Sequence, residues 1–386
     1  MIREITHICR NLKKRAPGSE GEREAAEYMA QTLEKECGLE QVARESFTEH
    51  PGAFYGYLYF SCVLDVLTCA LFFIGPWFSI AAGVLSLLLF IFQFVLYFEV
   101  IDRFFPKRQS VNVTAIRPCS GEVKRRIFIN GHIDAAWEWP LNYYFNGIVF
   151  EAHGVVAVVG VLYYITLSIC KLAGAGSWTL TAGLIGIVFV PAWIGLCFLR
   201  NKKLVVDGAN DNLTGCYLGI SVLKEMEEQN ITLENTEIGV ILTGSEECGL
   251  RGAKAWCKAH KDDYSDVPTY IYVFDTIHDP QFLMVNRQDL NGTLQADQHL
   301  ADLFMKGAAN AEVPCKSGWV PPMGGSTDSA AFTKGGFQSV AVTGLNHKLE
   351  DYYHTRRDSY DNLNAEGIEN CYKALIHTIC LIDGEY

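Results

Sequence analysis

The sequence predicts an α/β domain of three layers, with helices on both faces of a mostly parallel mixed sheet, interrupted by two transmembrane helical hairpins that make four spans. Three observations carry this prediction. Short apolar, strand-like runs alternate with amphipathic helical stretches, the pattern of a parallel sheet covered on both faces. Long apolar runs occur in two pairs, each joined by a tight turn. The mean hydropathy of +0.10, with 49% hydrophobic residues in 386, is high for a soluble chain.

Taken in order, the opening "MIREITHICRNLKKRAPGSEGE" is polar and charged. It lacks the apolar core of a secretory signal, so membrane insertion is expected from internal segments. Glu22–Cys37 carries Ala25, Ala26, Met29 and Leu33 at helical spacing and stops at Gly38. Phe54–Ile74 and Trp77–Phe98 are separated only by Gly75-Pro76, which reads as a helical hairpin. Strands are expected at Val111–Ile116 and Ile127–Ile129. Gly154–Cys170 and Trp178–Leu199 then repeat the hairpin around "KLAGAGS". Apolar runs of about 20 residues match a bilayer core, the third being near the lower limit. Trp77, Trp178 and the Tyr57/Tyr59 pair sit near span ends, as interfacial aromatics do. Helices at Leu213–Glu228, Ala253–Lys261, Leu300–Ala309 and Ala365–Ile382 alternate with strands at Ile238–Leu242, Tyr270–Phe274 and Ser339–Val342. Residues 1–53, 100–152 and 200–386 are thus expected to form one domain. Residues 54–99 and 153–199 form the two hairpins inserted in it.

Charge sets an expected orientation. Arg103, Lys107 and Arg108 follow the second span, and Arg200, Lys202 and Lys203 follow the fourth; the tight turns carry only Lys171. The positive-inside rule places the turns outside and the rest in the cytoplasm, as a multi-pass protein of the cell membrane. In that topology the sequons at Asn112 and Asn230 are chance matches. A net charge of −12, a pI near 5.3 and the lack of a basic block exclude a nucleic-acid surface. The 13 cysteines form no CxxC pair, which points to reduced thiols and away from a zinc ribbon.

Ligands of open α/β sheets sit beyond the carboxyl ends of strands. Three expected strands end in metal-binding residue types. "RIFINGHID" delivers His132 and Asp134, "EIGVILTGSEE" delivers Glu246 and Glu247, and "YIYVFD" delivers Asp275. Asp211 lies in "DGANDNLTG", between a glycine-containing turn and a helix, and His354 in the polar, aromatic "DYYHTRRDSYDNL". Each alone has an ordinary reading as a cap, turn or surface residue. Their joint appearance at strand ends is the signal, because imidazole plus carboxylate is the ligand set of zinc at a hydrolytic site.

In order and context these residues resemble the co-catalytic zinc aminopeptidase family, which also contains glutamate carboxypeptidase and the glutaminyl cyclases. The motifs that carry the resemblance are "GHID", "GANDN", "SEECG", "FD" and "YHT", with "SVNVTAI", "STDSAAFTKGGFQSVAV" and "RRDSYDNL" around them. It spans nearly all of the chain outside the apolar runs. There are two departures. Thr327-Asp328-Ser329 stands where the family often has Ser-Asp-His, and a whole hairpin fills the usually short link between the first two motifs.

The resemblance implies two zinc ions in a zinc peptidase domain. His132 and Asp275 would hold one, Glu247 and His354 the other, and Asp211 would bridge them. Asp134 would orient His132. Glu246 would bind no metal and would act as general base on a metal-bridging water, then as general acid to the leaving amine. Tyr353 is a candidate oxyanion donor, with plain packing as the plainer reading. The resemblance also implies a cis peptide between Asp211 and Asn212. The expected function is a membrane-anchored di-zinc exopeptidase, an aminopeptidase acting on hydrophobic peptides, with oligomerisation through the hairpins as a further option. Alternatives are an amidohydrolase of N-acyl or other amphiphilic amides, and a non-catalytic membrane scaffold. A glutaminyl cyclase fits less well, because those relatives work with one zinc while this chain keeps the full set. Trp137, Trp139, Arg251 and Trp319 are candidates to shape the pocket, or plain core or rim.

Overall fold

A computed structural model describes residues 1–346 and 350–384. Its strands, in chain order, are β1 (Val42–Glu49), β2 (Arg108–Arg117), β3 (Arg125–His132), β4 (Thr236–Thr243), β5 (Thr269–Ile277), β6 (Leu283–Asn286), β7 (Gln288–Asp289), β8 (Leu294–Gln295), β9 (Lys316–Gly318) and β10 (Gln338–Gly344). Eight form one sheet in the order β1-β2-β4-β3-β5-β10-β6-β9, while β7 and β8 pair separately. Within the main sheet β3/β4, β3/β5, β5/β10 and β6/β9 are parallel, and β1/β2, β2/β4 and β6/β10 antiparallel. The mostly parallel mixed sheet expected from the sequence is borne out.

Helices cover both faces, as alternation along each strand demands. Ile127 and Ile129 of β3 face a core closed by α1 (Ile2–Asn11), α2 (Glu20–Glu36), α9 (Thr214–Glu228), α11 (Gln298–Asn310) and α13 (Ala365–Asp383). Phe128, between them, faces the opposite core, closed by α10 (Arg251–His260) and α12 (Asp328–Gly335) around the buried Trp256. Helix starts are capped in the usual way: Ser19, Asp297, Thr327 and Asn364 accept hydrogen bonds from first-turn N–H groups.

The apolar runs form the remaining helices. These are α3 (Pro51–Ile74), α4 (Pro76–Phe90, continued by a π-turn at Ile91–Val95), α5 (Pro140–Tyr144), α6 (Gly147–Leu172), α7 (Trp178–Ile185) and α8 (Val190–Gly195). Four helical spans, at Pro51–Ile74, Pro76–Val95, Gly147–Leu172 and Trp178–Phe198, are long and apolar enough to cross a membrane. The last is broken by 3₁₀ turns at Gly186–Phe189 and Leu196–Phe198. The third begins at Gly147, ahead of the boundary at 153 and of the run from Gly154 that the sequence suggested: "NYYFNGIVFEAH" holds the end of α5 and the first turns of α6. Their outer faces expose Trp77 (70%), Ile74 (77%) and Val188 (70%), which only an apolar surrounding matches. Their inner faces pack closely: the Phe189 and Trp193 rings occupy the space that a Cβ at Gly160 would need, and the Phe72 ring does so at Gly183.

Candidate metal centre

The site lies beyond the carboxyl ends of the sheet strands, where β3 and β4 run in parallel register to His132 and Thr243. Beyond these ends Ile133 donates to the Thr243 carbonyl at 2.7 Å, so the His132–Asp134 and Glu246–Glu247 loops leave the sheet together. Asp275 is near the end of β5, between Phe274 and Thr276. Asp211 stands in the irregular turn that precedes α9, and the Asp211–Asn212 peptide is cis. His354 follows β10 in a loop and takes a left-handed φ of 51°.

The structure brings all five sequence-predicted metal ligands together. His132, Asp211 and Asp275 form one group, and Asp211, Glu247 and His354 a second; within each, the ligand atoms lie within 4.8 Å of one another. Asp211 is common to both. Its Oδ1 is 3.1 Å from His132 Nε2, and its Oδ2 is 3.0 Å from His354 Nε2, which also lies 3.3 Å from Glu247 Oε1. The Asp211 Oδ2 and Glu247 Oε1 atoms are buried and, among the described residues, have no well-aligned hydrogen-bond donor.

Electrostatics tests whether cations fit here. Asp211, Glu246, Glu247 and Asp275 line one cavity, and among the described residues no lysine or arginine lines it. Burial and then Asp211 push the Asp275 carboxyl up to about 7. Burial raises Glu246 well above its usual range, and burial also raises Glu247. Burial opposes charge on His354, but Glu247 and Asp211 override it and raise this imidazole to about 10. The same contest, with Glu246, Asp134 and Asp211 on the other side, raises His132. Burial alone would raise Asp211, yet the two imidazoles close beside its oxygens hold it low. Carboxylates thus crowd where only two imidazoles offer positive charge, and carboxylate oxygens lack donors. Divalent ions relieve both conditions, and the mixed imidazole–carboxylate donor set suits zinc.

The remaining predicted residues fall around this cluster. Asp134, fully buried, accepts from the backbone N–H of Glu246 (2.9 Å) and of Glu247 (3.0 Å), and its Oδ1 lies 3.4 Å from His132 Nδ1. Its firmer contacts therefore hold the glutamate loop, and the ring contact expected from the resemblance is the longer one. Glu246, 8% exposed, faces the cavity, with a carboxylate oxygen 3.9 Å from His132 Nε2. Tyr353 stacks on His354 (ring centroids 4.1 Å apart) and lines the same cavity. Trp139 stacks on Phe150 at 4.1 Å and sets its edge against His354, whose carbonyl accepts from the Trp139 N–H at 2.8 Å. Of the other pocket candidates, Trp137 carries Arg200 on its face and Arg251 is tied to Asp102, so both are framework. Trp319 is a half-exposed rim residue of a neighbouring pocket.

Three supports escaped the sequence reading. Arg15 is 2% exposed and donates to the carbonyls of Ile133 (2.7 Å) and Gly208 (2.9 Å), binding the first ligand loop to the second. Asp358 accepts from the N–H groups of Asn210 (2.8 Å) and Asp211 (3.1 Å), which fixes the shared carboxylate. Glu22 accepts from the Ser245 N–H (2.7 Å) and hydroxyl (2.9 Å), just ahead of the glutamate pair. Only "RRDSYDNL" gave any signal, through the resemblance.

Residues 198–379 match peptidase family M28. No curated protein matches the chain. Among solved structures, a zinc aminopeptidase from Bacillus subtilis is 12% identical with a TM-score of 0.58, over 98% of this chain and 93% of that one. A Zn-dependent exopeptidase from Parabacteroides distasonis is 10% identical with a TM-score of 0.56, over 100% and 97%. A Bacteroides thetaiotaomicron glutaminyl cyclase bound to N-acetylhistamine is 10% identical with a TM-score of 0.58, over 98% and 95%. The family match over residues 198–379, with the fold shared with zinc aminopeptidases and glutaminyl cyclases, bears out the resemblance to the co-catalytic zinc aminopeptidase family and the expectation of a zinc-dependent peptidase.

Proposed function

We propose that the chain is a membrane-anchored exopeptidase holding two zinc ions, an aminopeptidase that removes N-terminal residues from hydrophobic peptides. The observation that carries this reading is the sharing of Asp211 between two imidazole–carboxylate triads, with Glu246 beside them and bound to neither. His132 and Asp275 would hold one ion, Glu247 and His354 the other, and Asp211, common to both groups, would contribute to each. Bound zinc supplies Lewis acidity, lowering the pKa of the attacking water and polarising the scissile carbonyl.

The chain's own groups supply the rest. Asp134 pins the Glu246 backbone, so the Glu246 carboxylate stays aimed into the cavity. Its carboxyl is buried among the candidate ligands and bound to none of them, the position a proton carrier needs. It takes a proton from the attacking water and passes it to the leaving nitrogen. Tyr353, which lines the cavity, is the candidate donor to the developing oxyanion. The exposed apolar faces of the four spans face lipid or, in an oligomer, a second copy. Arg103, Lys107, Arg108, Arg200, Lys202 and Lys203 follow the second and fourth spans, which favours a catalytic domain on the cytoplasmic side.

The test is a library of free-amine peptides beside their N-acetylated counterparts, given to the zinc-loaded full chain in detergent and in liposomes. Stepwise release from free-amine peptides, fastest for Leu- or Phe-leading ones, is expected. No release, or internal cleavage of both sets alike, overturns the reading.

A further inference from the structure

The cavity that holds the carboxylate cluster does not end there. Past Trp139 and Phe150 it continues between α3, α4 and α6, walled by Leu58, Leu87, Phe90, Phe94, Val158 and Val161. The lining residues furthest along these helices from the site are Asp65 on α3, Ser86 on α4 and Val161 on α6. Beyond them the buried Cys69, Phe72 and Tyr164 close the bundle, the Tyr164 hydroxyl donating to the Gly183 carbonyl at 2.7 Å. Phe54, whose ring lies against Gly249 beside the glutamate loop, marks the mouth. Asp65 lies eleven residues further along α3, which is roughly 16 Å of helix.

The end of this cavity is polar and built. Asp65 is 3% exposed and accepts from the Ser86 hydroxyl at 2.5 Å. Ser61, one turn nearer the mouth and 4% exposed, lines the same space with a hydroxyl that has no partner among the described residues. An ionisable side chain inside a membrane-spanning segment is costly, and where it faces an internal cavity it marks a site.

We propose that this cavity is a fatty-acyl subsite, and that the site also hydrolyses long-chain N-acyl amides whose chain lies between the membrane helices with its end at the Asp65–Ser86 floor. The inference rests on the catalytic roles proposed above, but names another substrate. A polypeptide threaded along these walls would leave its N–H and C=O groups without partners, whereas a hydrocarbon chain has none to satisfy. A chain long enough to press on Asp65 would strip water or hydrogen bonds from it, so the floor sets the length accepted. In the reaction the water oxygen bonds to the acyl carbon and the C–N bond breaks. The proton that Glu246 takes up goes to the leaving nitrogen, and the products are a fatty acid and a free amine.

The test uses the zinc-loaded full chain in lipid nanodiscs with acetyl-, octanoyl-, lauroyl- and palmitoyl-glycine, beside a free-amine leucyl peptide. Hydrolysis is expected to rise by roughly fourfold per methylene until the floor is reached, and then to fall. Val158→Phe, which narrows the cavity away from the metal ligands, should abolish long-chain turnover and spare the leucyl peptide. Asp65→Leu should move the fall to longer chains, and Asp65→Asn should not. Independently of turnover, lauric acid should bind the metal-free chain, read by its tryptophan fluorescence, and Val158→Phe should lose that binding. Cleavage of the leucyl peptide with no acyl-glycine cleaved and no lauric acid bound overturns this inference and leaves the exopeptidase standing. Acyl-glycine hydrolysis without chain-length dependence also overturns it. Cleavage of neither class overturns the catalytic reading itself.

Discussion

Asp134 shows how one buried carboxylate organises the residues around the candidate metal centre. It receives two backbone N–H groups, those of Glu246 and Glu247, and it lies 3.4 Å from His132 Nδ1. Asp134→Asn keeps the size but turns one acceptor into a donor facing an N–H, at a cost of about 1–3 kcal/mol for the unmet group. The variant is expected to lose kcat by about 10²-fold through displacement of Glu246, with smaller loss of zinc; unchanged kcat would show that the loop holds itself. Glu49 makes a pH prediction. Burial raises its carboxyl from 4.5 to about 7, against hydrogen bonds from Cys248 and Ser245. A carboxyl raised on folding stabilises the fold below its unfolded pKa and loses that contribution as pH rises through the folded value. Stability tied to Glu49 should therefore fall between about pH 4.5 and 7. Denaturant titration should find Glu49→Gln more stable relative to the natural chain at pH 8 than at pH 5, by about 3 kcal/mol.

Specific polar contacts join the hairpins to the catalytic domain. Arg251 at the start of α10 donates to both oxygens of Asp102, at 2.7 and 2.9 Å, just past the second span. Lys254, one turn on, donates to the Tyr97 carbonyl at 2.6 Å. Arg200, after the fourth span, lies over both Tyr55 and Trp137, at 4.5 and 4.6 Å from the ring centres, which ties the second hairpin to the first. Arg251→Ala should lower stability by about 2 kcal/mol and speed proteolysis around residues 99–108, with Arg251→Lys rescuing only in part because it lacks the fork. Equal digestion of variant and natural chain would place the docking elsewhere. At this scale the sequence was uneven. Central strands read clearly, because "EIGVIL" and "YIYVF" are apolar on both faces. Strand β1, "VARESFTE", did not, since it is an edge strand with mostly half-exposed or exposed positions. The start of α6 was hidden because Glu151 and His153 interrupt the apolar run; Glu151 lines the cavity and His153 packs against Gly195. The metal-ligand types were legible because strand ends announce them. Arg15, Asp358 and Glu22 were not, because their burial comes from partners more than a hundred residues away.

At the scale of the whole molecule, the cavity that holds the carboxylate cluster runs on between the long apolar helices. Residues of both hairpins line it. The proposed orientation is tested by thiol labelling in intact cells. Cysteines introduced at Gly75 and Ala175 should react with an impermeant reagent, while the native, exposed Cys380 of α13 should not. Labelling of Cys380 would invert the topology and place the chemistry outside. The most direct measurement of the central claim is zinc per chain together with turnover of a leucyl peptide, for the natural protein, Glu246→Gln and Glu247→Gln. Two zinc ions per natural chain are expected. Glu246→Gln should keep both and lose about 10²–10⁴-fold in kcat, and Glu247→Gln should lose zinc. Full zinc in Glu247→Gln with depleted zinc in Glu246→Gln would exchange the two roles, and a natural chain active without zinc would contradict the account.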